Sequence, residues 1–155
     1  MGDQRLAPAQ VVAAFAAAVA PVAGVVGLYA GGSLAAGDYR PAVSDLDLVA
    51  VVASPVGRRQ RRRLRRLHAA TMREQPAAAK LHCVYVPRGE ATEVSQPHLT
   101  WAHGQLFRRS LSGVARAELL RGGITVAGPP PSALASGRLR RAGTADPGSG
   151  RGSLG

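Results

Sequence analysis

The sequence predicts an α/β (α+β) domain: a small mixed β-sheet flanked by helices. Three observations carry this expectation. Short apolar runs at 25–30, 48–53 and 80–86 are bounded by Gly and Pro, as buried strands are. Two longer segments, 6–23 and 58–70, carry helical spacing instead. The chain of 155 residues is long enough for one domain with a real core.

In chain order, Val11, Val12, Phe15 and Val19 recur among alanines, with Pro8 near the start and Pro21 near the end. That predicts an amphipathic helix packed on the sheet, with Phe15 in the core. The first strand is Val25 to Ala30. A glycine turn, Gly31-Gly32-Ser33, leads into a short helix or loop, with Tyr39 and Arg40 in the connection. The second apolar run, Leu48 to Ala53, forms a strand that Asp45 and Asp47 open. After the turn Ser54-Pro55-Val56-Gly57, the arginine-rich segment from Arg58 to Ala70 has a single stripe of Leu64, Leu67 and Ala70, and Pro76 ends it. In the strand from Lys80 to Val86, Leu81, Cys83 and Tyr85 face one way and His82, Val84 and Val86 the other. Residues 97–109 receive no element. A helix is expected at 112–121 with Gly122-Gly123 at its C-cap, and then a last short strand, Ile124 to Val126. From Ser132 apolar periodicity is lost. The domain organisation is thus 6–131 for the folded unit and 132–155 for a disordered low-complexity tail.

The formal net charge is +11, and Lys80 is the only lysine, so arginine supplies almost all of it. Such a surface attracts nucleotides, nucleic acid or acidic partners. Arg, Ala, Gly and Pro enrichment also marks a GC-rich genome, and no aromatic residues interleave the arginines of 58–66. An ordinary exposed helix is therefore preferred there to a nucleic-acid interface. No apolar run reaches the ~20 residues of a membrane helix, and the start lacks a signal-peptide layout. One cysteine, Cys83, cannot make an internal disulfide or a Cys-rich zinc site. A cytoplasmic protein without membrane contact is expected.

The chemistry concentrates between Gly31 and Leu48. Asp45 and Asp47, two apart, present carboxylates on one face of a strand. Like charges so close repel unless a cation neutralises them. Mg²⁺ suits the place, since it takes one or two carboxylates and fills its shell with water and substrate phosphates. Gly31, Gly32 and Ser33 leave backbone N–H groups open at a helix start, an anion site. Together these read as a metal–nucleotide site.

The pattern G-S-x(10)-S-D-x-D-L, here Gly32-Ser33 and Ser44-Asp45-Leu46-Asp47-Leu48, resembles the signature of the polymerase-β-like nucleotidyltransferases. The later chain, including the run from Glu118 to Pro131, resembles the aminoglycoside (streptomycin/spectinomycin) adenylyltransferase branch, over roughly residues 10–131. The resemblance implies transfer of AMP from ATP to a hydroxyl of a small molecule such as an aminoglycoside. It implies two Mg²⁺ ions on Asp45 and Asp47, and nucleotide contacts from Gly32, Ser33, Ser44 and Arg40. The family places a third carboxylate on the strand facing the pair, and the matching position here is His82. A histidine there binds metal, accepts a proton near neutral pH, or marks altered activity. Glu90 and Glu93 fall past the strand and read as solvated. The family continues into a helical C-terminal domain that builds the acceptor site; here the tail stands in that place, and self-association through the face so left is an expectation.

Two further readings stay open: a catalytically inactive, nucleotide-binding remnant, and an arginine-rich nucleic-acid module, the latter less favoured. His68 and Cys83 are expected in structural or core positions. Trp101 either stacks on a base or sugar or packs. His98 and His103 lack the i, i+4 spacing of a helical metal pair.

Overall fold

The computed structural model describes residues 7–40, 43–90, 96–110 and 123–135. The helix expected at 112–121, Glu93 and the tail from 136 onward lie outside these residues.

Helix α1 (Pro8–Ala23) starts with proline at its first position, where no N–H is missed, and stops at Gly24 in the left-handed conformation (φ 63°). The backbone N–H of Ala7 donates to Gln10 Oε1 at 2.9 Å and so is satisfied at the helix entry. Strand β1 (Val25–Ala30) runs into helix α2 (Gly32–Ala36), and strand β2 (Leu46–Val52) returns antiparallel to β1. Helix α3 (Arg58–Glu74) repeats the entry device of α1, with Gly57 N–H donating to Gln60 Oε1. Pro76 then opens a 3₁₀ turn (Pro76–Lys80) that delivers the chain to β3 (Leu81–Pro87).

Strand β3 lies parallel to β2, so β2–α3–β3 is a crossover unit, the connection a parallel pair requires. All other pairings are antiparallel, and the sheet order is β5-β4-β3-β2-β1-β6. Here β4 is Pro97–Ala102, β5 Gln105–Ser110 and β6 Ile124–Ala127; α4 (Ser132–Ala135) follows. The mixed sheet with helices agrees with the expected fold class.

Alternation sorts the sheet into two faces. Leu28, Ala30, Leu46, Leu48, Ala50, Val52, Leu81, Cys83, Tyr85, Leu99 and Trp101 form one core with Val11, Val12, Phe15 and Val19 of α1 and Leu64 of α3. His68, one turn beyond Leu64, is buried in the same layer. Its ring stacks on Trp101 (4.6 Å between centroids, 8° between planes), and its Nε2 lies 2.7 Å from the Tyr85 hydroxyl. Burial lowers the His68 pKa to about 3, so the ring is neutral and shares one hydrogen bond with the phenol. Phe15, His68, Cys83 and Trp101 thus all serve packing. Burial also pushes the Cys83 thiol up to about 12, which makes it inert.

Two expectations are corrected. The second strand begins at Leu46, not at Asp45, so Asp47 is a strand residue as expected while Asp45 stands just ahead of the strand. Residues 97–110, given no element from the sequence, form the β4–β5 hairpin. Its two-residue turn is His103-Gly104, both with positive φ (51° and 75°), which matches the right-handed twist of a hairpin.

Candidate metal and nucleotide site

The face of the sheet opposite the helices carries Asp47 and His82. Parallel register places these two residues side by side on β2 and β3. The end of the sheet where β2 and β3 begin is also where β1 finishes, and Gly31 N–H donates to the Asp47 carbonyl at 2.9 Å. The glycine turn is therefore bonded to the backbone of the aspartate strand.

Gly32 is needed there on two counts. Its φ is 59°, and a Cβ at that position would lie 2.5 Å from Asp47 Oδ2. Only a residue without a side chain lets the turn approach the carboxylate so closely. Ser33 follows, half-buried, in the first turn of α2.

Asp45 is set by the loop before β2. Ser44 N–H donates to the Arg40 carbonyl (2.9 Å), and Arg40 N–H donates to Ser44 Oγ (2.9 Å). Lys80 Nζ donates to the Val43 carbonyl at 2.9 Å and ties this loop to the start of β3. Ser44, expected on the nucleotide, thus has its hydroxyl oxygen engaged in closing its own turn. Arg40 is exposed on the same turn.

One donor atom from each of Asp45, Asp47 and His82 lies within 4.8 Å of the others. His82 Nδ1 is 3.5 Å from Asp47 Oδ1, with the Asp47 side chain half-exposed and that of His82 19% exposed. Burial raises the Asp47 pKa; His82 opposes the rise, Asp45 adds to it, and Arg109 of β5 opposes it. A divalent cation relieves both the repulsion and the burial cost, so the donor set fits a metal ion.

Several groups were not legible as parts of this site. His103, at the hairpin turn, brings its ring edge to His82, with centroids 5.0 Å apart and planes at 63°. Lys80 anchors the loop, and Arg109 is the arginine whose charge acts on Asp47. Being the only lysine was the sole sequence signal for Lys80; no local pattern marked the other two. The arginines of α3 belong to the helix layer, across the sheet from Asp47. His98 is buried and faces Glu90, Nδ1 to Oε2 3.8 Å, and does not join the group.

Residues 15–91 match the family model described as nucleotidyltransferase domain. The matched stretch contains the glycine turn, both aspartates and His82, and it supports a polymerase-β-like nucleotidyltransferase. No curated protein matches the chain. Among the described residues, no helix is long and apolar enough to cross a membrane.

Proposed function

We propose that the chain is a nucleotidyltransferase that moves AMP from ATP to a hydroxyl of a small molecule, an aminoglycoside being the class that the later chain resembles. The observation that supports this most is the meeting of Asp45, Asp47 and His82 donors within 4.8 Å beside a glycine turn that leaves Asp47 uncrowded. Asp45 and Asp47 would hold divalent metal, two Mg²⁺ ions in the arrangement the family implies. Bound there, metal supplies electrophilic stabilisation of the triphosphate and of the departing pyrophosphate. The backbone of Gly32 and the hydroxyl of Ser33 hold the phosphate tail, and Arg40 reaches the same anion from the loop. The acceptor hydroxyl oxygen would bond to the α-phosphorus as the bond from that phosphorus to the pyrophosphate oxygen breaks, the pyrophosphate leaving with the metal and the hydroxyl proton passing to solvent water.

Thermal stability with and without MgATP, on the native chain and on Asp45→Asn/Asp47→Asn, tests the half-site. A ligand bound only by the folded state at ~100 times its dissociation constant adds ~2.7 kcal/mol. The shift is expected in the native chain and not in the double variant. Pyrophosphate release retained by Asp45→Asn with Mg²⁺ would overturn the mechanism. A second reading, a nucleotide-binding remnant without turnover, draws on His82 standing where the family has a carboxylate; it predicts the MgATP shift without acceptor-dependent pyrophosphate release.

A further inference from the structure

We infer that His82 is a metal ligand through Nδ1, and that it raises the affinity of the acidic site for a nitrogen-accepting divalent ion such as Mn²⁺ relative to Mg²⁺. The inference rests on the metal–nucleotide reading above and names the ion it takes.

The first ground is distance. His82 Nδ1 and Asp47 Oδ1 stand 3.5 Å apart, long for a hydrogen bond. Two donors each about 2.1 Å from one ion stand about 3.0 Å apart at a right angle and about 3.4 Å apart at the tetrahedral angle. The spacing on the page suits a shared ion better than a direct contact. The Asp45 carboxylate joins the same cluster within 4.8 Å.

The second ground is rigidity. His82 sits on β3, which is hydrogen-bonded to β2 on one side and β4 on the other. The register fixes it beside Asp47, and the His103 ring packs against it with the two planes at 63°. The ring is presented to the carboxylates by the fold, not by a flexible loop.

The third ground is donor chemistry. Mg²⁺ prefers oxygen ligands and gives up its water reluctantly. Imidazole suits the later transition ions, and carboxylate suits Mg²⁺ and Mn²⁺. A set of two carboxylates and one imidazole is therefore met best by Mn²⁺ among ions that also bind phosphate oxygens readily. With Nδ1 committed in this way, His82 is not the acceptor of the hydroxyl proton through that nitrogen; its other nitrogen carries hydrogen.

The test reads the metal directly. Mn²⁺ is added to the full chain, alone and with ATP, and pulsed electron paramagnetic resonance records nitrogen coupling. Coupling to ¹⁴N is expected in the native chain, replaced by ¹⁵N coupling when histidine is ¹⁵N-labelled. It is expected to vanish in His82→Gln and to persist in His103→Gln. In competition binding, His82→Asp is expected to lower the Mn²⁺-over-Mg²⁺ affinity ratio at least about tenfold, the loss typical of even an outer-shell partner. Mn²⁺ that needs Asp45 and Asp47 but shows no histidine coupling overturns this inference and leaves the proposed function standing. So does an unchanged ratio in His82→Asp. Absence of Mn²⁺ binding with and without ATP overturns both. Should His82→Gln fail to fold, the labelled native chain together with His103→Gln still decides the point.

Discussion

Gly32 concentrates at one residue what the site requires. A Cβ at φ 59° costs about 1–2 kcal/mol in backbone strain, and here it also meets the Asp47 carboxylate. Gly32→Ala is thus expected to lower the unfolding free energy by about 1–2 kcal/mol and to abolish the MgATP-dependent rise in melting temperature. A retained ligand shift at native magnitude would show that the close approach is not needed. His68 gives a prediction of a different kind. Burial depresses its pKa from the ordinary imidazole value of about 6.5 to about 3. The unfolded chain then binds the proton more readily. The contribution of neutral His68 is full above about pH 6.5 and is lost as pH falls from there toward 3, by up to about 1.4 kcal/mol per pH unit. His68→Phe keeps the apolar stacking on Trp101 and should flatten that part of the stability–pH curve; an unchanged slope in urea titrations at pH 4 to 6.5 would assign it to other groups. That Asp45 and Asp47 stand close together beside the turn of Gly32 was legible in the sequence, because their spacing sets them at the start of one strand behind a glycine turn. Lys80 and His103 were not, because their partners (the Val43 carbonyl and the His82 ring) are fixed by the sheet and not by neighbours in sequence.

Elements were legible in proportion to how strongly one period dominated them. β1, β3 and α1 are nearly continuous apolar or amphipathic segments, and their bounds were found to within a residue or two. β2 was opened one residue early, at Asp45, because the alternation of Asp45, Leu46 and Asp47 reads as strand before the ladder with β3 begins at Leu46. The β4–β5 hairpin went unassigned for three physical reasons. Its strands mix buried His98 and Thr100 with Arg108 and Arg109, β5 is largely exposed, and its turn is His-Gly where Asn-Gly would have been recognised. That turn still obeys the positive-φ rule. Gly104→Ala meets no atom within 4 Å but must hold φ 75°, so a loss of about 1 kcal/mol is expected from strain alone, read as a lower denaturation midpoint at unchanged slope. In α3 the buried stripe is Leu64 and His68, not the whole Leu64-Leu67-Ala70 line. Leu64→Ala should cost about 2–5 kcal/mol, whereas exposed Arg62→Ala should change stability by no more than about 0.5 kcal/mol. Equal costs at the two positions would contradict the assignment of the inward face.

At the scale of the whole molecule, charge is divided by layer. The formal +11 is carried largely by arginine, much of it on the exposed side of α3, while the sheet face across from α3 presents Asp45 and Asp47. Under the proposed function, a triphosphate would be drawn by the field of the protein and repelled by the site itself until metal accompanied it. These two effects belong to different kinetic steps. Long-range attraction acts on encounter and is screened over a Debye length, about 10 Å at 0.1 M salt and about 3 Å at 1 M. Contacts of Asp45 and Asp47 with an ion and its phosphates would act only once the ligand is seated and would be screened far less. Raising salt from 0.1 M to 1 M should then slow association of the metal–nucleotide complex by about tenfold or more and leave dissociation nearly unchanged. Arg62→Gln/Arg66→Gln should weaken only the association arm, and Asp45→Asn should act on dissociation. Stopped-flow measurement with a fluorescent ATP analogue separates the arms. A salt effect on dissociation that is lost in Arg62→Gln/Arg66→Gln would mean that the α3 arginines touch the bound nucleotide, against the placement of α3 across the sheet from Asp47.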